Sequence, residues 1–339
     1  MSNKPPIEVP QGAIRLNTDS QKLEFYAQDR WYEMATDTPN LSTRQTNGRG
    51  LFMGGHDGSA NRTDRIDFIT IATAGGAVDF GDLTQARSAA AAIASNTRGL
   101  LLGGTVSPTV NIVDYVTISI TSSALDFGDL TSERHWTQGC SSQTRGIAAG
   151  GHPGQNTIDF CTIATTGDFQ DFGDLTYKSN VAVAANSANN SPTRGFFGGG
   201  TPSPYINSID FITIATLGNS QEFGDSTTQI AREARGSSTT RALLIGGTRP
   251  EPSSSTIIDY FQMSTLGNAI DFGDSTASNS NSAGSSDCIR VAFAHGNNPS
   301  NTDKIDYINI STGGNAFDFG NLSTARNHLG GTSNGHGGL

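Results

Sequence analysis

One short pattern returns six times along the chain at a nearly fixed interval. Ile66-Asp67-Phe68-Ile69-Thr70-Ile71 recurs as Val113-Asp114-Tyr115-Val116-Thr117-Ile118. Its core recurs at Ile158-Asp159-Phe160, Ile209-Asp210-Phe211, Ile258-Asp259-Tyr260 and Ile305-Asp306-Tyr307. Successive aspartates lie 47, 45, 51, 49 and 47 residues apart. A second element, Asp79-Phe80-Gly81-Asp82, keeps step with the first through Phe127, Phe172, Phe223, Phe272 and Phe319. A third precedes both: Arg49-Gly50 leading to Gly54-Gly55, then Arg98, Arg145, Arg194, Arg241 and Arg290. Self-similarity at this period means one supersecondary unit per repeat, stacked so that neighbours bury each other's apolar faces.

Each copy contains four strand-like runs. In the second, Ser88 to Ala94 is small and apolar (strand a), followed by a turn at Ser95-Asn96-Thr97-Arg98. Gly99 to Gly104 (b) ends in a glycine pair, Ile112 to Ile118 (c) alternates, and Ala124 to Leu130 (d) carries Phe-Gly-Asp. Charged residues make up 15% of the chain, against the roughly 25% usual for a globular domain, and Gly, Ser, Thr and Asn fill the gap. Such a chain suits short strands and tight turns. Four strands per period are the pattern of a β-propeller blade. The expected fold is therefore all-β: a six-bladed propeller over 42–339 with a short N-terminal β-arm over 1–41. Strand a should be innermost, where Ala89 to Ala92, Ala182, Ala184 and Ser282 to Ser285 fit the crowding. Phe80, Phe127, Phe172, Phe223, Phe272 and Phe319 should pack between neighbouring blades. The first copy has no good strand a before Arg49, and the C-terminal piece 325–332 is expected to supply it, closing the ring.

The repeats resemble kelch-type propeller repeats in Arg87 opening strand a, Gly103-Gly104 closing b, the Asp-Tyr of c and an aromatic in d. Phe127 stands where kelch repeats usually carry Trp. The N-terminal segment reads as three strands, with Gly12 to Asn17, Lys22 to Tyr26 and Arg30 to Met34 around a turn at Thr18 to Gln21. It is similar to a small β-module of bacteriophage tail-fibre and virion proteins. With the copies of Ile-Asp-Phe-Ile-Thr-Ile and Asp-Phe-Gly-Asp, nearly the whole chain resembles kelch-like virion structural proteins of tailed phages, cyanophages in particular. That resemblance implies a virion protein, assembled in the host cytoplasm, of the tail, baseplate or fibre apparatus. Its expected partners are other virion proteins through the arm, where Phe25, Tyr26, Trp31 and Tyr32 would anchor it, and a host-surface glycan. A homotrimer is the assembly such proteins imply; without coiled-coil heptads it would rest on the arm or the virion socket. Capsid decoration without receptor binding is the alternative, and a glycan-degrading enzyme a third.

The residues themselves offer little chemistry. With 21 Lys and Arg against 31 Asp and Glu, net charge −10, the chain is a poor partner for nucleic acid. No apolar run reaches membrane-spanning length, and Met1 to Pro6 has no signal core. Cys140, Cys161 and Cys288 are odd in number and lack metal spacing, so they read as small hydrophobes. Asp79-Phe80-Gly81 spells a kinase motif, but it repeats and has no accompanying signature. No catalytic, cofactor or metal residue is expected. Asp67, Asp114, Asp159, Asp210, Asp259 and Asp306 should be buried structural carboxylates, bonded to backbone N–H groups or to the Thr-Arg arginines Arg98, Arg145, Arg194 and Arg241. The b–c and d–a connections vary among copies and should share one face. His56, His152, Tyr205 and Arg249 are the candidate glycan contacts there.

Overall fold

The computed structural model describes residues 9–17, 22–33, 48–57, 61–179, 189–200, 206–250, 254–298 and 300–339. The chain divides into two compact units, Met1–Arg44 and Gln45–Leu339. No helix occurs among the described residues, and none is therefore long and apolar enough to cross a membrane.

The smaller unit is a three-stranded antiparallel sheet of Ile14–Asn17, Lys22–Ala27 and Arg30–Glu33. Alternation puts Arg15, Glu24, Tyr26 and Trp31 on one face and Ile14, Phe25 and Tyr32 on the other. Arg15 bonds Glu24 at 2.8 Å and lies 4.1 Å from the Trp31 ring centre. Phe25 stacks on Tyr32, and Tyr26 meets Trp31 edge-on. These four aromatics are consequently half-buried by one another rather than fully exposed.

The larger unit contains six four-stranded antiparallel sheets, one per repeat, each in the order a, b, c, d. The second is typical, with Ala91–Ala94, Arg98–Leu102, Ile112–Thr117 and Leu125–Asp129. Strand a of the first sheet comes from the other end of the chain. Gly330–Ser333 pairs with Arg49–Met53, Gly330 opposite Met53 and Ser333 opposite Gly50. This strand begins later than the 325–332 segment suggests. His328 adopts a positive φ of 53°, and the kink separates it from the short pairing of Arg326–Asn327 with His56–Asp57.

The six a strands are Ala91–Ala94, Gln138–Ser141, Asn189–Asn190, Ala234–Ser237, Ala283–Ser286 and Gly330–Ser333, all buried. Each touches the next, and the last touches the first. Ala182 and Ala184 lie outside the described residues. The crowding is real: a Cβ on Gly139 would stand 2.7 Å from Ile93 Cγ2, and one on Gly331 would stand 2.5 Å from the Gly284 carbonyl oxygen. Between the strands a void of about 10 Å³, room for about one water, is lined by Ala92, Ser141, Asn190, Ser285 and Thr332. His336 also lines it. Its Nε2–H donates to the Ala94 carbonyl at 2.8 Å, while Nδ1 accepts from Gly338 N at 3.1 Å and Asn190 Nδ2 at 3.3 Å. Those partners select the neutral Nε2–H tautomer.

Six apolar clusters hold the sheets together, each shared by two consecutive sheets. Phe80 packs with Leu51 and Ile66 of its own sheet and Ala92, Leu101 and Val116 of the next. Phe127, Phe172, Phe223 and Phe272 do the same in the following clusters. Phe319 packs with Phe52 and Ile69 of the first sheet. All six phenylalanines are buried, as their spacing leads one to expect. The glycine of Phe-Gly-Asp follows from the same contact. Gly128 has φ of +142° and its absent side chain lets the next c–d turn close in, where Gly167 N donates to the Phe127 carbonyl at 2.8 Å. Equivalent bonds run from Gly218, Gly267, Gly314 and Gly75, the last reaching Phe319.

Candidate functional site

The repeated aspartates are the first candidates, and all six are buried. Each takes bonds from the Thr or Ser that lies four residues after the strand d phenylalanine of the preceding sheet. Asp114 accepts from Thr84 N at 3.0 Å and Thr84 Oγ1 at 2.7 Å. Thr131, Thr176, Thr227 and Thr276 serve Asp159, Asp210, Asp259 and Asp306. Ser323 of the sixth sheet serves Asp67 of the first at 2.7 Å. A buried carboxylate so bonded is a structural tie between sheets.

The cations that neutralise them are not the Thr-Arg arginines. Arg87 pairs with Asp114 at 3.0 Å, Arg134 with Asp159, and Arg326 with Asp67 at 2.7 Å. Burial pulls all three guanidinium groups below their ordinary values, and the aspartates oppose it. Those four turn arginines, with Arg49 and Arg290 at the equivalent position of the other two copies, instead lie across the aromatic beside each aspartate. Arg49, Arg98, Arg145, Arg194, Arg241 and Arg290 sit 4.7–4.9 Å from the ring centres of Phe68, Tyr115, Phe160, Phe211, Tyr260 and Tyr307. Each then donates from Nη1 to a carbonyl of the next sheet at 2.8–3.1 Å. The expectation fails because strand c alternates. Its aspartate faces inward, while the residue after it faces the side on which the turn arginine lies.

Copies that lack the pairing arginine find substitutes. Where Ile230 stands, Arg249 reaches Asp259 at 3.2 Å from within the same sheet. Where Asn279 stands, His295 Nε2 lies 2.8 Å from Asp306. Burial works to raise the Asp306 carboxyl, but the bonds from His295 and Thr276 hold it below its ordinary value. Asp210 relies on hydroxyls, among them Ser220 at 2.6 Å. Arg249 is thereby corrected: it is buried against Asp259 and Thr228, so it is not open to a ligand. Among the described residues no group of three or more His, Cys, Asp or Glu is placed to hold a metal.

Tyr205 lies outside the described residues. His56 and His152 are half-buried, and both belong to a cluster that includes residues not singled out from the sequence. His152 lies 4.9 Å from the His135 ring and 6.0 Å from Trp136; His135 and Trp136 are 4.5 Å apart. His56 meets His328 edge-on at 5.7 Å and reaches Ser88 Oγ at 2.9 Å. Arg62 bridges back to His56 along the backbone. Burial, then the charges of His152 and Arg62, push His135 down to about 4. Burial, then the charges of His56, Arg232 and His135, push His328 down to about 3. Both imidazoles are neutral at pH 7, and Arg62 and Arg232 contribute positive charge here.

The backbone explains the gathering. Ala89, Trp136, Arg232, Asn281 and His328 occupy one equivalent position just before strand a, and all have φ between 52° and 63°. Four neighbouring copies are linked in series here: Trp136 N donates to Ala89 O at 2.7 Å, Ala89 N to His328 O at 3.0 Å, and His328 N to Asn281 O at 3.1 Å. Side chains at this one position are brought together where the inner strands converge. Aligning the six copies on the strand d phenylalanine shows the signal in retrospect: alanine and valine (Val181) in two, but Trp, Arg, Asn and His in the other four. A left-handed backbone at a bulky residue costs about 1–3 kcal/mol and concentrates at functional positions. Compared with known proteins, the sequence matches no family model and no curated protein significantly.

Proposed function

We propose that residues 45–339 form a six-bladed β-propeller closed by the C-terminal strand, and that the chain is a non-enzymatic structural protein of a phage particle. In this reading it belongs to the tail, baseplate or fibre apparatus. The three-stranded unit attaches it to other virion proteins, and the face bearing the b–c and d–a connections meets a glycan of the host surface.

Support for the propeller is that every kind of tie runs cyclically. The apolar clusters, the aspartate bonds, the arginine bonds and the inner-strand contacts each link the sixth sheet back to the first. One observation carries the binding role: the side chains that break the sixfold pattern gather at one position beside the inner strands. The repeated carboxylates are committed to structural bonds, which argues against the enzyme alternative. The phage assignment rests on the resemblance of the repeats and the N-terminal module to virion proteins.

The test is adsorption of the fluorescently labelled full chain to a panel of cyanobacterial strains. Saturable, strain-selective binding is the expected result. Uniform absence of binding, with the chain still entering particles, would overturn the recognition role and leave decoration. Release of reducing sugar from envelope polysaccharide would overturn the non-enzymatic assignment.

A further inference from the structure

Trp136 Nε1 and Asn281 Oδ1 are buried and meet no partner among the described residues; so are Arg62 Nε and Arg232 Nε, a lack these two share with the paired Arg87, Arg134, Arg249 and Arg326. Trp136, Arg232 and Asn281 share the left-handed position described above, and Arg62 bridges along the backbone to His56, whose ring meets that of His328. Neither Arg62 nor Arg232 forms an ion pair among the described residues. The other arginines near the inner strands behave differently: Arg87, Arg134, Arg235, Arg249 and Arg326 each have a carboxylate. Both Arg62 and Arg232 are half-buried, with Nε covered and the rest of the fork open to a ligand. The turn arginines without a carboxylate are each held by a ring and a carbonyl; in a chain of net charge −10, Arg62 and Arg232 have neither among the described residues, and they mark a place for an outside anion.

We propose that this cluster binds an acidic saccharide, a refinement that rests on the glycan-recognition reading above. Arg62 and Arg232 receive the anionic oxygens, as guanidinium forks do. The half-buried Trp136 offers an indole face for the sugar ring and its N–H for a hydroxyl or ring oxygen. Asn281 Oδ1 accepts from a hydroxyl. His135 Nδ1 bonds Thr109 Oγ1 and His328 Nδ1 bonds Asn327 Oδ1, so each neutral ring has one nitrogen left, which suits a hydroxyl better than a second anion. Donors and an acceptor together with an aromatic face fit a sugar bearing one anion, rather than a bare phosphate or sulfate.

Calorimetric titration of the full chain with glucuronate, glucose 6-sulfate, glucose and inorganic sulfate tests this. One or both acidic sugars should bind saturably, and the stronger identifies carboxylate or sulfate as the group recognised. Arg62→Gln and Arg232→Gln should each weaken that binding at least tenfold, and Trp136→Ala should abolish it, with thermal midpoints within a few degrees of the wild type. A variant whose midpoint collapses is replaced by Arg→Lys at the same position, which keeps the charge but not the fork and should still bind several-fold more weakly. The proposal is overturned if neither acidic sugar binds, if glucose or inorganic sulfate binds as well, or if the arginine variants bind like the wild type. Cell adsorption separates this from the broader reading. Strain-selective adsorption unaltered in both arginine variants sinks the site and spares the recognition role. Acidic-sugar binding without adsorption to any strain supports the site and sinks that role.

Discussion

Arg326 Nη2 lies 2.7 Å from Asp67 Oδ2, joining two fully buried residues 259 positions apart in the chain. The same guanidinium donates from Nη1 to the carbonyl oxygens of Gly54 and Arg65, both at 2.9 Å. The sixth repeat is thus fastened to the first by charge as well as by the strand pairing of Gly330–Ser333 with Arg49–Met53.

Removing one partner should cost far more than removing both. Arg326→Met leaves a buried carboxylate uncompensated, and the expected loss is about 3–5 kcal/mol. Adding Asp67→Asn should recover a large part of it, because no buried charge then remains. Urea unfolding of the two variants measures the difference. Equal losses would mean that the ion pair contributes nothing specific.

His336 should make stability depend on pH. Burial pushes this imidazole down to about 4, with the Ala94 carbonyl opposing, whereas the unfolded chain titrates near about 6.5. Between these values the unfolded state binds more protons than the folded state, so stability rises with pH across that window. It is fully present above about 6.5 and falls as the pH drops towards about 4, by on the order of 3 kcal/mol for this group. His135 and His328 act in the same direction. The wild-type profile minus that of His336→Gln should isolate the slope; a flat difference between pH 4 and 6.5 would refute it.

Two glycines separate backbone strain from steric contact. Gly128 has φ of +142°, and a Cβ there would stand 2.6 Å from Gly167 C and O. Gly167 has φ of +151° with nothing within 4 Å. Gly167→Ala should therefore show strain alone, about 1–2 kcal/mol. Gly128→Ala adds a clash with backbone that cannot rotate aside, for a total of about 2–5 kcal/mol. Unfolding midpoints rank them, and the reverse order would mean that the sheets slide apart freely.

The thiols should differ in reactivity. Cys140 and Cys161 are buried, and burial holds both thiols well above their ordinary value, Cys161 at about 12. Cys288 is half-buried in an a–b turn, with Sγ 3.3 Å from the Gly335 carbonyl oxygen. Because the thiolate is the reactive form, a thiol-specific reagent should label Cys288 first and the other two only on unfolding. Prompt labelling of Cys140 in the native protein would contradict its burial.

Much of this architecture can be read directly from the chain. The period, the four strands per copy, the inter-sheet phenylalanines, the buried aspartates and the need for a C-terminal partner for Arg49–Met53 all follow from patterns that repeat. Repetition exposes any local requirement, because a glycine, an aspartate or an aromatic needed once is needed in every copy. Pairing between side chains is another matter. That Asp114 meets Arg87 rather than Arg98 depends on which face of strand c each residue occupies and on how closely the next sheet approaches. That Arg249 and His295 stand in for missing arginines depends on a reach within the folded sheet. The cluster of Arg62, His135, Trp136, Arg232 and His328 was illegible for the opposite reason: it is built from residues that break the repeat, and they come together only because the inner strands converge. The sequence by itself therefore determined the units, their strands and their shared core, since those are set by local periodicity and burial. Only the tertiary structure decided which charges meet and where the unpaired ones gather, since that is set by distances between residues far apart in the chain.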